Sequence, residues 1–215
     1  LETGDGDGGY IRRDGVSDFI LARAQSQYGS NVTKEDIFYY VYGFLHCPTY
    51  RETFANDLKK MLPRLPLVED MKDFWAFSQA GRALAKLHVD YETVPPYKDV
   101  KVTGEESGFF KVEKMRFLSK DRKDTIQYNS KITISNIPAK AYEYIVNGKS
   151  AIDWIMERYA ITKHKESGIV NDPNDWAEEV GNPRYILDLL LSVINLSIQT
   201  VDIVNALPAV KFESE

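Results

Sequence analysis

The stretch KVEKMRFLSKDRKDTIQYNSKITIS, residues 111–135, decides how this chain is read. On either side of it, apolar residues recur at helical spacing. Within it the period falls towards two, and Val112, Met115 and Phe117 alternate imperfectly with charged neighbours. Alternation of that kind marks strands with one buried face. Together with its flanks it supplies four candidate strands, in DVKVTG, FFKVEKMRFL, TIQYN and KITISNI, which we read as one antiparallel sheet.

Upstream, helical signals dominate. Ser17 caps a helix running to about Tyr28, where Gly29 stops it. Thr33 and Asp36 have the spacing of a capping box, and Val32 and Ile37 that of a hydrophobic staple. Pro48 suits the first turn of a third helix, read through PTYRETFANDLKKML. The prolines of PRLPL then end it, since each lacks an amide donor and disfavours helix before it. Phe74, Phe77, Ala80, Leu84 and Leu87 make the apolar stripe of a long fourth helix. VPPY, residues 94–97, reads as a rigid connector from helix to sheet. Downstream, PAKAYEYIVNGKSAIDWIMERYAITKH reads as helix broken at Asn147–Gly148, with Asn147 rather than Ser150 as the cap. ESGIVNDPNDWAEEVGNP reads as a polar loop, and the apolar run RYILDLLLSVINLSIQTVDIVNAL as a final helix.

Helices, then sheet, then helices is the order of an α+β fold. We expect a boundary segment over residues 1–16, a helical part over 17–94, and a sheet-plus-helix part over 95–207 packed with it as one domain. The composition, 43% hydrophobic and 27% charged over 215 residues, is that of a folded chain. No apolar run looks long enough to span a bilayer, so no membrane partner is expected. The Gly- and Asp-rich start reads as a cut within a longer protein. A lone cysteine excludes an internal disulfide and fits a reducing cytoplasm.

Three short motifs suggest chemistry and fail on inspection. HCPTYR places His46 beside Cys47, but a thiolate needs an oriented base and zinc needs three or four ligands. The other two histidines, His88 and His164, are remote in sequence. A core cysteine at a helix junction is the better reading. VPPY resembles the adenine-methyltransferase Pro-Pro-Tyr motif, yet Val94 stands where an amine-accepting side chain is needed, and no Gly-rich cofactor turn precedes it. DGDGG is no EF-hand, because loop positions six and twelve would be Tyr10 and Val16. There is no P-loop, GxSxG or HExxH.

Charge is more informative. The net charge is −5, so nucleic-acid binding would need a local patch. Between residues 111 and 131 lie seven cations, Lys111, Lys114, Arg116, Lys120, Arg122, Lys123 and Lys131, against Glu113, Asp121 and Asp124. Beyond Lys165 nine acidic residues face two basic ones. Asymmetry of this kind gives a basic face on an acidic chain. Lys120, Arg122, Lys123 and Lys131 are the candidate phosphate contacts, and Lys114 is a further DNA-binding candidate. Gln127 and Asn129 can pair bidentately with adenine, and Arg116 with guanine.

Long phrases then carry a resemblance. TKEDIFYYVYGFLHCPTYRETFANDLKKMLPRLPL, FWAFSQAGRALAKLHVDYETV and NIPAKAYEYIVNGKSAIDWIMERY occur in order and with similar spacing. They resemble the C-terminal specificity region of Type ISP single-polypeptide restriction-modification enzymes and related helicase-methyltransferase proteins, over residues 17–200. The resemblance implies a target recognition domain for double-stranded DNA, non-enzymatic in isolation. It also implies partners in the same polypeptide: a nuclease, an ATP-driven translocase and an adenine methyltransferase. S-adenosylmethionine, ATP and Mg would be bound by those parts and not by this one. Specificity regions differ most where they touch bases, so contacts are expected in residues 98–131 and 163–174. The competing readings are a helical scaffold that docks the methyltransferase to the motor, and an enzyme using Cys47 and His46.

Overall fold

The computed structural model describes residues 14–119 and 121–212. The described residues divide into two compact units, one over residues 14–85 and 206–212, the other within residues 86–205.

In the first unit, α1 (Asp18–Tyr28) begins where the Ser17 hydroxyl accepts from the Ile20 amide, and ends at Gly29, whose φ of 111° suits glycine. α2 (Lys34–Phe44) starts at the full Thr33/Asp36 capping box. Val32 and Ile37 are both buried beside it. α3 (Pro48–Thr53) has Pro48 at its first turn but spans only six residues, shorter than the sequence suggested. Asn56 and Asp57 follow, and such side chains compete for backbone groups and weaken helix. The long α4 (Met71–Val89) places Phe74, Phe77, Ser78, Gly81 and Leu84 on its buried side.

Between α3 and α4 the proline-rich segment runs extended. Its carbonyls at Arg64, Pro66 and Val68 accept from the hydroxyls of Tyr50 (3.1 Å), Tyr40 (2.6 Å) and Tyr28. Prolines at 63 and 66 leave carbonyls without matching amides, and one tyrosine from each of three helices satisfies them. The same rings form the core: Tyr28 stacks on Phe74 at 4.2 Å, and Phe44 meets Phe77 at 4.9 Å. α2 and α4 touch backbone to backbone. A Cβ on Gly81 would lie 1.8 Å from the Tyr39 carbonyl oxygen, and one on Gly43 would lie 2.2 Å from that of Phe77.

In the second unit a four-stranded antiparallel sheet is formed by β1 (Lys101–Thr103), β2 (Arg116–Ser119), β3 (Arg122–Gln127) and β4 (Thr133–Ser135), in the order β1-β4-β3-β2. Ile126 pairs with Phe117 on one side and Ile134 on the other, and Ile134 with Val102. This apolar row packs in one cluster with Leu187, Leu190 and Ile194 of α7 (Tyr185–Asn205). The fold is therefore α+β, as the change of period predicted. VPPY follows a single helical turn and lies on α7: Asn195 donates to the Pro95 carbonyl, and the Tyr97 amide to that of Leu191.

Three sequence readings are corrected here. The segment after Ile137 is not a broken helix. It holds one 3-10 turn, the hairpin β5 (Ile145–Val146) and β6 (Lys149–Ser150), and then α5 (Ala151–Arg158). Asn147 (φ 48°) and Gly148 (φ 83°) form the hairpin turn, as Asn-Gly pairs do. Ser150 caps α5, accepting from the Asp153 amide at 3.0 Å. The polar loop contains β8 (Val170–Asn171), paired with β7 (Thr162–Lys163), and α6 (Asn174–Glu179). Third, α7 is long and apolar enough by length and composition to cross a membrane, contrary to the sequence reading. Two thirds of its most apolar window is buried, in one cluster with sheet residues and against α5, which accounts for that composition as core.

Candidate nucleic-acid interface

The other face of the sheet is polar. Arg116 pairs with Gln127, Gln127 with Thr133, and Thr133 with Thr103, so one row of hydrogen-bonding side chains crosses all four strands. It is offset by one residue from the apolar row. Successive strand residues point to opposite faces, so burying Phe117, Ile126, Ile134 and Val102 obliges the neighbouring row to face outward. Ser135 and Lys101, also paired, extend that face.

A cleft of about 210 Å³ opens at the β2 side, lined by Phe109, Lys111, Glu113, Lys114, Arg116, Gln127, Asn129 and Ser130. Its outer wall is the irregular run before β2, where the sequence suggested strand. Asn129 explains why that run holds its shape. Its amide donates to the carbonyls of Phe109 and Lys111, both at 2.9 Å. Its oxygen accepts from the amides of Lys131 (2.8 Å) and Ile132 (2.7 Å). The Tyr128 hydroxyl adds a bond to the Phe110 carbonyl, and Asn174 holds both the amide and the carbonyl of Val112 at 2.8 Å. Val112 and Met115 anchor the run in the core, while Lys111, Lys114 and Arg116 around them stay exposed.

Asn129, a base-reading candidate in the sequence, is engaged within the protein instead. An amide has two donors and two acceptor positions, and all four are occupied inside the protein. Lys114, Arg116 and Gln127 come together at the cleft. Among the described residues, Lys114, Arg116 and Lys131 have no carboxylate within ion-pair distance. Lys111, by contrast, pairs with Glu178, whose hydrogen bond and charge raise its pKa. Lys131 is exposed in the β3–β4 turn next to Ser130. Arg122 and Lys123 lie at the opposite end of the hairpin, around a separate hollow lined by Tyr142. Arg122 faces Asp124 at 3.5 Å. Lys123 sits 3.9 Å from Asp153 and over the rings of Phe117 and Tyr142. Lys120 lies outside the described residues. The sequence reading missed Thr103 and Thr133, which the strict alternation of TIQ and ITIS would have revealed once the register was known.

Cys47 is 2% exposed in the core of the first unit, at the start of α3. The His46 ring donates through Nδ1 to the Tyr42 carbonyl at 2.8 Å, and burial lowers its pKa. Among the described residues no three of His, Cys, Asp and Glu are grouped to hold a metal.

Residues 2–189 match the family model of the Type ISP C-terminal specificity domain. The chain belongs to that family. Three solved structures are similar over most of it. The ATP-dependent Type ISP restriction-modification enzyme LlaBIII, bound to DNA, is 38% identical with a TM-score of 0.81, over 92% of this chain and 12% of that one. A nuclease-deletion mutant of the Type ISP enzyme LlaGI, in complex with a DNA substrate mimic, is 45% identical with a TM-score of 0.75, over 83% and 14%. DrdV, in a complex with DNA, is 30% identical with a TM-score of 0.75, over 91% and 20%. The chain therefore spans a fifth or less of those proteins' length. Among curated proteins, none matches it.

Proposed function

We propose that this chain is the DNA target recognition domain of a longer restriction-modification polypeptide, and that the polar face and cleft of its sheet read the duplex. The observation that carries this is the row from Arg116 to Thr103 beside the basic cleft, a surface of donors and acceptors on a rigid sheet. The DNA complexes of its relatives support it.

In this reading Arg116 pairs with a guanine and Gln127 with an adenine, each bidentate contact contributing about 1–3 kcal/mol of discrimination. Lys114 and Lys131 hold phosphates and set register, and Arg122 does so at the far end of the hairpin. Lys123, engaged by Asp153 and two rings, contributes mainly positive potential, and Lys120 completes the set. The domain performs no chemistry. Cleavage, ATP-driven translocation and adenine methylation, with S-adenosylmethionine, ATP and Mg, belong to the rest of a cytoplasmic polypeptide.

The test is a domain swap. Fused behind the methyltransferase of a relative with known specificity, this chain should redirect methylation to a new sequence. Unchanged specificity with intact methylation would make it a scaffold between methyltransferase and motor.

A further inference from the structure

The β7–β8 hairpin is unlike the rest of the second unit. Every residue from 161 to 171 is exposed. Its ladder has only two residue pairs, Thr162 with Asn171 and Lys163 with Val170. A lone short hairpin is marginal in water. This one nevertheless displays apolar side chains, Ile161 (39% exposed), Ile169 (67%) and Val170 (55%). Its turn is ordered internally: the His164 amide donates to the Ile169 carbonyl at 2.8 Å, the Gly168 amide to that of His164 at 2.9 Å, and Ser167 contacts the His164 ring.

Both stems of the hairpin are fixed to the wall of the cleft. The Ile161 amide donates to the Glu113 carbonyl at 2.9 Å. On the return stem, Asn174 clasps Val112 through two bonds of 2.8 Å. Glu113 lines the cleft and its neighbour Lys114 does too. The arm therefore rises from the same backbone that carries the candidate DNA contacts. Lys163 and Lys165 are exposed on it, and among the described residues neither has a carboxylate within ion-pair distance. Apolar surface flanked by unpaired lysines, beside a basic cleft, complements a polyanion with apolar sugar edges better than it does the acidic surface that follows residue 165.

We propose that residues 161–171 form a second DNA-binding arm. Lys163 and Lys165 hold phosphates of the duplex whose bases are read at the cleft, while Ile169 and Val170 bury against its sugars and base edges. The arm supplies affinity and not sequence choice. This rests on the reading that the cleft binds double-stranded DNA.

The test compares two double variants of the full-length polypeptide, Lys163→Ala/Lys165→Ala and Arg116→Ala/Gln127→Ala, by DNA affinity against salt and by mapping of methylated adenines. The arm variant should weaken cognate and non-cognate duplexes equally and lower the salt slope by about 2, at roughly 0.9 per phosphate contact. Its methylated sequence should not change. All its substituted side chains are exposed, so its melting temperature should match the parent's. An unchanged salt slope in the arm variant, with altered specificity in the cleft variant, would overturn the arm and leave the cleft standing. Parental affinity and specificity in both variants would remove the reading on which the arm rests. Ile169→Ser/Val170→Ser gives an independent measurement: weaker DNA binding is expected, whereas normal DNA binding with a lowered melting temperature of the polypeptide would make the arm a protein-docking element and overturn the proposal.

Discussion

Arg116 and Gln127 are directly opposed across the antiparallel β2–β3 pair, on the face of the sheet away from the core. Opposed residues have Cβ atoms about 4.5–5.5 Å apart, close enough for two long side chains to reach neighbouring base pairs. Each should therefore govern one position of the recognised sequence. Gln127→Ala should relax an A·T position and Arg116→Ala a G·C position, each at a cost of about 1–3 kcal/mol for the cognate site. Gln127→Arg should turn the preference at its position towards guanine. Mapping methylated sites for the three variants decides this, and identical maps would end the assignment.

Asn129 makes a contrasting prediction. Its four hydrogen bonds join the β3–β4 turn to the cleft wall. Asn129→Ala leaves the buried Ile132 amide and three part-buried backbone groups without this partner and should lower unfolding stability by about 1–3 kcal/mol in urea titrations. Protein that remains folded should keep the parental recognition sequence. A shifted sequence would return Asn129 to the bases.

Cys47 is buried, and its neighbour His46 bonds to a backbone carbonyl. Cys47→Ala should cost about 1–2 kcal/mol of stability through lost packing and leave methylation by the parent polypeptide intact. Loss of activity at full stability would revive the enzyme reading.

What the sequence disclosed follows from how local each signal is. The Ser17 and Thr33 caps, Pro48 at a first turn and Phe74, Phe77 and Leu84 of the α4 stripe depend on neighbours a few residues apart and appear in the structure, whereas Ala80 and Leu87 are only partly buried. The cluster of cations was visible as composition, but which of them share a cleft depends on strand register. That register comes from burying Ile126 and Ile134 on α7, some sixty residues downstream. Asn129 looked free because its partners at Phe109 and Lys111 are backbone atoms twenty residues away, with no side-chain signature. Ser150 was passed over as a cap because Asn147–Gly148 resembles a helix break when the two-residue strands around it are not foreseen.

The backbone contact between α2 and α4 tolerates no side chain. The atom nearest a Cβ on Gly81 is the Tyr39 carbonyl oxygen, at 1.8 Å, and backbone cannot swing aside as a side-chain end would. Gly81→Ala must push the helices apart and loosen Phe74 and Phe77 from their ring partners. A loss of about 3 kcal/mol is expected, at the upper end for overpacking. Gly15→Ala, with nothing within 4 Å of its Cβ, is the control and should be near neutral. Equal melting temperatures for the two variants would contradict the close approach.

His46 should make the stability of the first unit depend on pH. Burial pushes its pKa down, the Tyr42 carbonyl opposes this, and the nearby Arg51 charge adds to the lowering, so the net direction is down. The unfolded chain, with a histidine pKa of about 6.5, then binds the proton more readily than the folded one. Its contribution to stability is complete above about pH 6.5 and declines as pH falls towards the lowered folded value. Asp36 is also lowered, because burial, which raises it, is outweighed by Thr33 and Arg82, and its window lies below about pH 3.9. The melting temperature should therefore begin to fall below about pH 6.5, and His46→Gln, which cannot titrate, should flatten that decline. An equally steep decline in the variant would assign the pH dependence to other groups.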